Sequence, residues 1–241
     1  MKKIAVIPAR GGSKGIPKKN IRDFCGKSLI AYSIEASLQA EMVDRVVVST
    51  DDQEIAKVSR KYGAEVILRP TDISGDFASS ESALLHVLEE LDRKEQYSPD
   101  LLVFLQCTSP LTLSADIDGT VKALLDQGAD TAFAAAPFHY FLWSKNAEGE
   151  AKGINHDKRN RLMRQQRDNQ FVESGSVYVM KVPGFLEEQH RFFGKTVLYE
   201  IPEERCFEID EPVDLIVAEQ LMKTQLEKYD NRSQHKKIYH F

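Results

Sequence analysis

The sequence predicts an α/β fold of three layers, a mostly parallel sheet with helices on both faces. Two observations carry this. Short apolar runs rich in β-branched residues recur at 4–7, 45–49, 65–68, 101–105 and 131–136. Segments with helical spacing of apolar residues lie between them. Continuous rather than alternating apolar runs mark strands buried on both faces, as parallel strands under helices are.

The elements follow in order. Ile4 to Ile7 form the first strand, which ends in Pro8-Ala9-Arg10-Gly11-Gly12 and so gives way to a loop. Leu29, Ile30, Ile34 and Leu38 then follow with roughly helical spacing. Val46, Val47 and Val48 form the second strand. Asp51 or Asp52 caps a helix running to Lys61, and Gly63 stands where a helix C-terminal glycine belongs. Residues 65–68 are the third strand. Ser79 or Ser80 caps a longer helix whose apolar face is Leu84, Val87, Leu88 and Leu91. Residues 101–105 and 131–136 are the fourth and fifth strands, with a helix around 117–125 between them. After Pro137 the alternation breaks. Residues 138–200 read as an excursion from the sheet, with one strand at 176–180. A closing helix is predicted over 211–229, and the polar tail 230–241 is predicted to fray. The chain reads as a single domain over 1–241, with no repeat and no linker.

Composition narrows the function. A chain of 241 residues with 42% hydrophobic content is long enough to bury a core without disulfides or metals. Its formal charge of −5 argues against sequence-independent nucleic-acid binding, which needs a basic footprint. Cys25, Cys107 and Cys206 are far apart and odd in number, and the six histidines show no metal-ligand spacing. A disulfide framework and a zinc site are therefore not expected. No apolar run approaches the length of a membrane span, and the N-terminal run is too short for a signal peptide. A cytoplasmic protein is expected, without a nucleic-acid or membrane partner.

In a parallel sheet of this kind, ligands sit beyond the carboxyl ends of the strands. Three polar clusters fall there: Arg10 to Asn20, Ser49 to Asp52, and Gln106 to Pro110. The first is the most informative. Gly11, Gly12 and Gly15 let the backbone turn its N–H groups inward, and Arg10, Lys14, Lys18 and Lys19 supply four cations. Backbone donors with cations suit a di- or triphosphate. The loop is neither G-x-G-x-x-G nor a Walker P-loop. By itself it is equally consistent with a basic surface loop. Glu208-Ile209-Asp210 puts two carboxylates on one side of an extended segment. Such a pair suits Mg²⁺, which takes one or two carboxylates plus substrate phosphates. Glu211 reads as a helix N-terminal acid. Lys158 to Arg167 holds five cations, which read either as a solvated face or as a site for an anionic substrate. Phe192-Phe193 lies on a segment that does not read as core, and faces a partner subunit or packs locally.

Together these residues resemble the acylneuraminate cytidylyltransferases, the CMP-sialic acid synthetases. The resemblance rests on Ile-Pro-Ala-Arg-Gly-Gly-Ser-Lys-Gly-Ile-Pro-x-Lys-Asn at 7–20, Ser49-Thr50-Asp51-Asp52, Arg69-Pro70, Gln106-x-Thr108-Ser109-Pro110, Gly175-Ser176-Val177-Tyr178, and Glu208-Ile209-Asp210-Glu211-Pro212-x-Asp214. It implies a Rossmann-like nucleotidyltransferase fold with a β-rich dimerisation arm at about 138–170. It implies that CTP is joined to the anomeric hydroxyl of a nonulosonic (sialic-type) acid, giving the CMP-sugar acid and pyrophosphate. Arg10, Lys14 and Lys19 would hold the triphosphate, with Ala9, Gly11, Gly12 and Ser13 of the loop. Asn20, Arg69, Ser80, Gln106, Thr108 and Ser109 would surround the nucleoside. Arg10, Lys19 and Asp210 would be catalytic, and Asp210 with Glu208 would hold Mg²⁺ or Mn²⁺. Gln106, Arg164, Tyr178, Phe192 and Phe193 would meet the sugar acid, the two phenylalanines across a homodimer. Two departures bear on this. Glu208 stands where the family often has Asp, so Asp210 is expected to dominate metal binding. Ser174 stands where sialic acid enzymes commonly have Asn, which leaves the identity of the acid open. A guanylyltransferase for a related acid and a non-catalytic CTP-binding protein are the alternatives.

Overall fold

A computed structural model describes residues 1–13, 15–75 and 78–238. Its main sheet has seven strands: β1 (Lys3–Pro8), β4 (Arg45–Thr50), β5 (Glu65–Leu68), β6 (Leu101–Leu105), β7 (Thr131–Phe138), β10 (Gln170–Lys181) and β11 (Thr196–Glu200). Their spatial order is β11-β7-β10-β6-β1-β4-β5. All pairings are parallel except those of β10, which runs antiparallel to both β6 and β7. The short strands β2 (Asp23–Phe24) and β3 (Lys27–Ser28) pair with each other, as do β8 (Trp143–Lys145) and β9 (Ala151–Gly153).

Helices cover both faces. The alternation of side chains along each strand sorts them. Ala5, Ile7, Val46, Val48, Val103 and Leu105 face one side. There they meet Ile30 and Ile34 of α1 (Leu29–Gln39), Ile55 of α2 (Gln53–Lys61), and Ile117, Val121 and Leu124 of α4 (Ser114–Asp126). Ile4, Val6, Val47, Leu102 and Phe104 face the other side. They pack on Leu84, Val87, Leu88 and Leu91 of α3 (Ser80–Glu95), the apolar face expected from sequence, and on Phe185 of α5 (Val182–Glu188). Each such side chain, fully buried, contributes about 1.5–3 kcal/mol. The final helix, α6 (Pro212–Ile238), seats Leu215, Ala218 and Met222 against Ile16, Phe24, Leu29, Leu111 and Ile209. The first strand's loop and the last helix therefore share one small core.

Helix starts follow side-chain capping. Asp52 accepts from the backbone N–H of Glu54 at 2.7 Å and of Ile55 at 2.9 Å. Ser79 accepts from Ser82 N at 3.1 Å. Gly63 takes φ of 94° after α2, a conformation glycine adopts without steric cost.

The structure corrects three expectations. The departure from the sheet is narrower than 138–200, because both β10 and β11 rejoin it. β11 went unread because Thr196–Glu200 is a half-buried edge strand of mixed polarity. Helix α6 continues through Asp230 to Ile238, past the predicted fraying point.

One buried ion pair fixes the approach to the C-terminal acidic segment. Asp116, 1% exposed, takes two hydrogen bonds from Arg205, at 2.9 and 2.7 Å, and one from Leu113 N at 2.9 Å. Removing one partner of such a pair strands the other's charge. Asp116→Ala is expected to lower stability by about 3 kcal/mol, read as a lower urea midpoint. An unchanged midpoint would show that the pair is not structural.

Candidate active site

Beyond the carboxyl ends of β1, β5 and β6 lies a cleft of about 500 Å³. Arg10, Ser13, Gly15, Lys19 and Asn20 line it from the first loop. Arg69, Ser79 and Ser80 line it from the β5–α3 side. Phe104, Gln106, Cys107 and Thr108 line it from β6, and Asp210 and Glu211 from the segment before α6. Four of the motifs read from sequence thus meet in one place. Lys14 lies outside the described residues.

The loop is held by close backbone approaches. Gly11 N donates to Asp51 Oδ1 at 3.1 Å, and a β-carbon at Gly11 would lie 2.8 Å from Asp52 Oδ2. A β-carbon at Gly15 would lie 2.5 Å from the Asp210 carbonyl oxygen. The Ser49–Asp52 cluster therefore braces the loop from behind. Ala9 is buried and donates its N–H to Ser49 O at 2.8 Å, so it extends the strand and does not line the cleft. Arg10 Nη1 donates to Gly75 O at 3.1 Å. Asn20 is buried, and its amide donates to Arg10 O at 3.0 Å. Cys107 Sγ donates to Asn20 Oδ1 at 2.9 Å. Burial pushes the Cys107 thiol up to about 11, against the pull of Lys19, so it is a protonated donor at neutral pH. Asn20 is fixed from both ends of its amide.

Lys19 joins the loop to the acidic segment. Its Nζ donates to Ile209 O at 2.8 Å and Asp210 Oδ1 at 3.1 Å. Ile209 N in turn donates to Thr108 O at 2.9 Å. Asp210 lines the cleft and its side chain is 70% exposed, leaving oxygen lone pairs open to a ligand. Asp214 accepts from the N–H of Asp210 and Glu211, and those bonds hold its carboxyl below the usual range. Arg69 is buried with no partner for its Nε among the described residues, and it lines the cleft. Burial disfavours its charge, while Asp51 supports it.

Glu208 is placed differently from Asp210. It sits over Gly175 of β10, where a β-carbon would fall 1.9 Å from its Oε1. Gly175 takes φ of 65° at a register shift between Glu173 and Tyr178. The bulge makes the room that Glu208 fills. Burial first, then Asp210 and Glu173, raise the Glu208 carboxyl above its ordinary value. Among the described residues, no cluster of three or more His, Cys, Asp or Glu side chains is arranged to hold a metal.

Other residues named from sequence fall outside the cleft lining. Ser109 is buried and donates to Gly175 O at 3.4 Å. Gly11 and Gly12 belong to the loop's backbone without lining the cleft. Tyr178 is 2% exposed, stacks on Phe104 at 5.3 Å with a 19° interplanar angle, and donates its hydroxyl to Glu173. Phe192 packs edge-on against Phe133 and Tyr178, at 5.4 and 6.0 Å, and Phe193 packs beside Gly184. Both lie partly buried against the core of their own chain. Arg164 lies in a separate cavity of about 190 Å³ with His139, Arg167 and Gln170, 3.7 Å from Glu203. The strand from Gln170 to Tyr178 spans about 25 Å at the usual rise, so one chain holds Arg164 and Tyr178 apart.

Sequence reading missed Arg191 and Glu81. Arg191 Nε donates to Glu81 Oε1 at 2.7 Å, beside the cleft wall formed by Phe104. The available signal was a lone cation next to Phe192-Phe193. Burial works against the Glu81 charge, but the bond from Arg191, a backbone N–H and the charges of Arg191 and His190 together outweigh it, and the carboxyl lies below its usual range. A carboxyl lowered on folding adds stability that is full above the ordinary carboxylate range. That stability is lost as pH falls through the lowered value. Glu81→Gln is therefore expected to unfold at lower urea than the parent at neutral pH, with the gap closing as pH falls below the ordinary carboxylate range. A gap independent of pH would contradict this. Gly175→Ala is expected to cost at least about 1 kcal/mol through its positive φ and to displace Glu208, read by denaturation and by a structure of the variant.

Comparison with known proteins agrees with this geometry. A family model for cytidylyltransferases matches residues 4–239. The chain is 34% identical over 233 residues to a pseudaminic acid cytidylyltransferase of Campylobacter jejuni subsp. jejuni serotype O:23/36, covering 94% of this chain and 99% of that one. It is 35% identical over 219 residues to N-acylneuraminate cytidylyltransferase A of Danio rerio, covering 90% of this chain and 50% of that one. In fold it resembles a CMP:2-keto-3-deoxy-manno-octonic acid synthetase solved with CTP. The TM-score is 0.72 at 18% identity, over 93% of this chain and 100% of the other. The three-layer architecture is thus that of a nucleotidyltransferase, and the chain belongs to the cytidylyltransferase family of enzymes.

Proposed function

We propose that this enzyme joins CTP to the anomeric hydroxyl of a nonulosonic acid, releasing pyrophosphate and the CMP-sugar acid. The observation that carries the reading is the contact between Lys19 and Asp210, which brings the phosphate-type loop and a carboxylate together in one cleft. The names of the pseudaminic acid and N-acylneuraminate relatives support the acid's class.

In this reading the triphosphate lies along the loop, met by Ser13 and by Arg10, Lys14 and Lys19, with Gly11 and Gly12 shaping the loop behind them. These groups offset charge that builds on the leaving pyrophosphate. Asn20, Arg69, Ser80, Gln106 and Thr108 surround the cytidine, with Ala9 and Ser109 supporting them from the buried side. The orphaned Nε of Arg69 is a donor awaiting an acceptor. Asp210 fits a divalent cation: a hard, exposed oxygen donor at the cleft, next to where phosphates would lie. Mg²⁺ or Mn²⁺ there, with Glu208 nearby, would polarise a phosphoryl oxygen when bound. The sugar acid lies toward Gln106 and Tyr178.

The arm at about 138–170 exposes Tyr140, Leu142, Trp143, Ile154, Leu162 and Met163. So much clustered apolar surface fits contact with a second copy. In such a homodimer, Arg164, Phe192 and Phe193 would complete a sugar pocket across the interface. Three unpaired cysteines and the use of CTP fit the cytoplasm. No described helix is long and apolar enough to cross a membrane.

The test is pyrophosphate release with Mg²⁺ and CTP against N-acetylneuraminate, legionaminate, pseudaminate and the deaminated acid, with GTP, ATP and UTP as controls. Release with CTP and one acid is expected. Asp210→Asn is expected to lower kcat by about 100-fold or more. Release only with GTP, or CTP binding without turnover on any acid, would overturn the reading.

A further inference from the structure

Arg191 stands on the loop between α5 and β11, and its side chain is 20% exposed. Three contacts hold it. Its Nε donates to Glu81, which follows the cleft residues Ser79 and Ser80 at the start of α3. Its guanidinium carbon lies 4.9 Å from the ring centroid of Phe104, which lines the cleft from β6. It lies 4.8 Å from the ring centroid of Tyr178, on the antiparallel strand β10. The two rings are stacked on each other. One guanidinium therefore links α3 and β6, which line the cleft, to β10, which backs Phe104 from behind.

Stability alone does not explain this choice. A mostly buried ion pair is roughly neutral against apolar residues of the same volume. A planar guanidinium, however, both stacks on rings and keeps a fixed donor fork, which neither an apolar residue nor lysine does. Glu81 supplies the counter-charge at a helix N-terminus, where an acid is favoured.

We propose that Arg191 is a positioning residue for the acceptor half of the site. By clamping Phe104 and Tyr178 against Glu81, it fixes the wall on which the sugar acid lies. It thereby sets affinity for the acid and leaves CTP affinity nearly untouched. This inference rests on the function proposed above.

Two variants of the full chain test it: Arg191→Lys, which keeps charge and loses the plane, and the charge-neutral pair Glu81→Gln with Arg191→Met, which leaves no stranded ion. KM for each substrate is read from pyrophosphate release, CTP affinity from calorimetry without the acid, and folding from thermal melts. Both variants are expected to raise KM for the acid about tenfold or more, with CTP affinity changed less than about twofold. Unchanged KM for the acid would overturn the proposal. So would parallel losses for acid and CTP, or failure of both variants to fold, since each would make Arg191 a general support of the cleft. Absence of turnover by the unaltered enzyme with every acid would overturn the proposed function, and this inference with it.

Discussion

Lys19 carries its charge to a place that water barely reaches: its side chain is 13% exposed. An ammonium so placed requires oxygen partners, because leaving it unpaired is costly. It finds them 190 and 191 residues away, in the carbonyl of Ile209 and the carboxylate of Asp210. That pairing turns a bend after the first strand and an extended segment before the last helix into two sides of one cleft. Other contacts follow from it. Gly15 must lack a side chain because the Asp210 backbone lies against it. Ile209, held on its other face by Thr108, enters the small core that also contains Ile16 and Leu215. The apolar contacts and the charged contact point to the same register between distant parts of the chain.

The second constraint is the bulge in β10. An antiparallel strand paired along β7 would ordinarily present an unbroken ladder, but the register with β7 shifts between Glu173 and Tyr178. Gly175 breaks it, and Ser174 and Ser176 pair their hydroxyls beneath the break while Ser174 also bonds Ala134 O. The polar groups that the bulge frees are thus satisfied by side chains. The space above the bulge is taken by Glu208. The difference between the two carboxylates of the acidic segment, one exposed to the cleft and one half-buried over a glycine, traces to this single irregularity.

These two constraints differ in how far they can be read from sequence. The central strands were legible because burial on both faces writes a continuous apolar run, as in Leu101 to Leu105. Helix starts were legible because Asp52 and Ser79 declare themselves chemically. The loop from Arg10 to Asn20 was legible only in company with the other motifs, because a glycine-rich basic loop by itself is equally consistent with a solvated surface loop. The bulge was not, because Ser-Gly-Ser within an apolar strand is ambiguous between a turn and an irregular strand. The edge strand β11 was not, because its burial depends on neighbours that sequence does not reveal.

Arg191 shows the limit most clearly. Nothing in His190-Arg191-Phe192-Phe193 distinguishes it from any surface arginine near aromatics. Its role depends on Glu81, Phe104 and Tyr178, which stand on three separate elements and meet only because β10 runs between β6 and β7. The residues proposed to meet the triphosphate lie on one contiguous loop, since backbone donors must converge over a few residues. The residues proposed to shape the acceptor side are gathered by topology from across the chain. Nucleotide chemistry was therefore readable as a motif. Acceptor residues were named from sequence only through the family resemblance, and the contacts of Arg191 became visible only once the strand order was known.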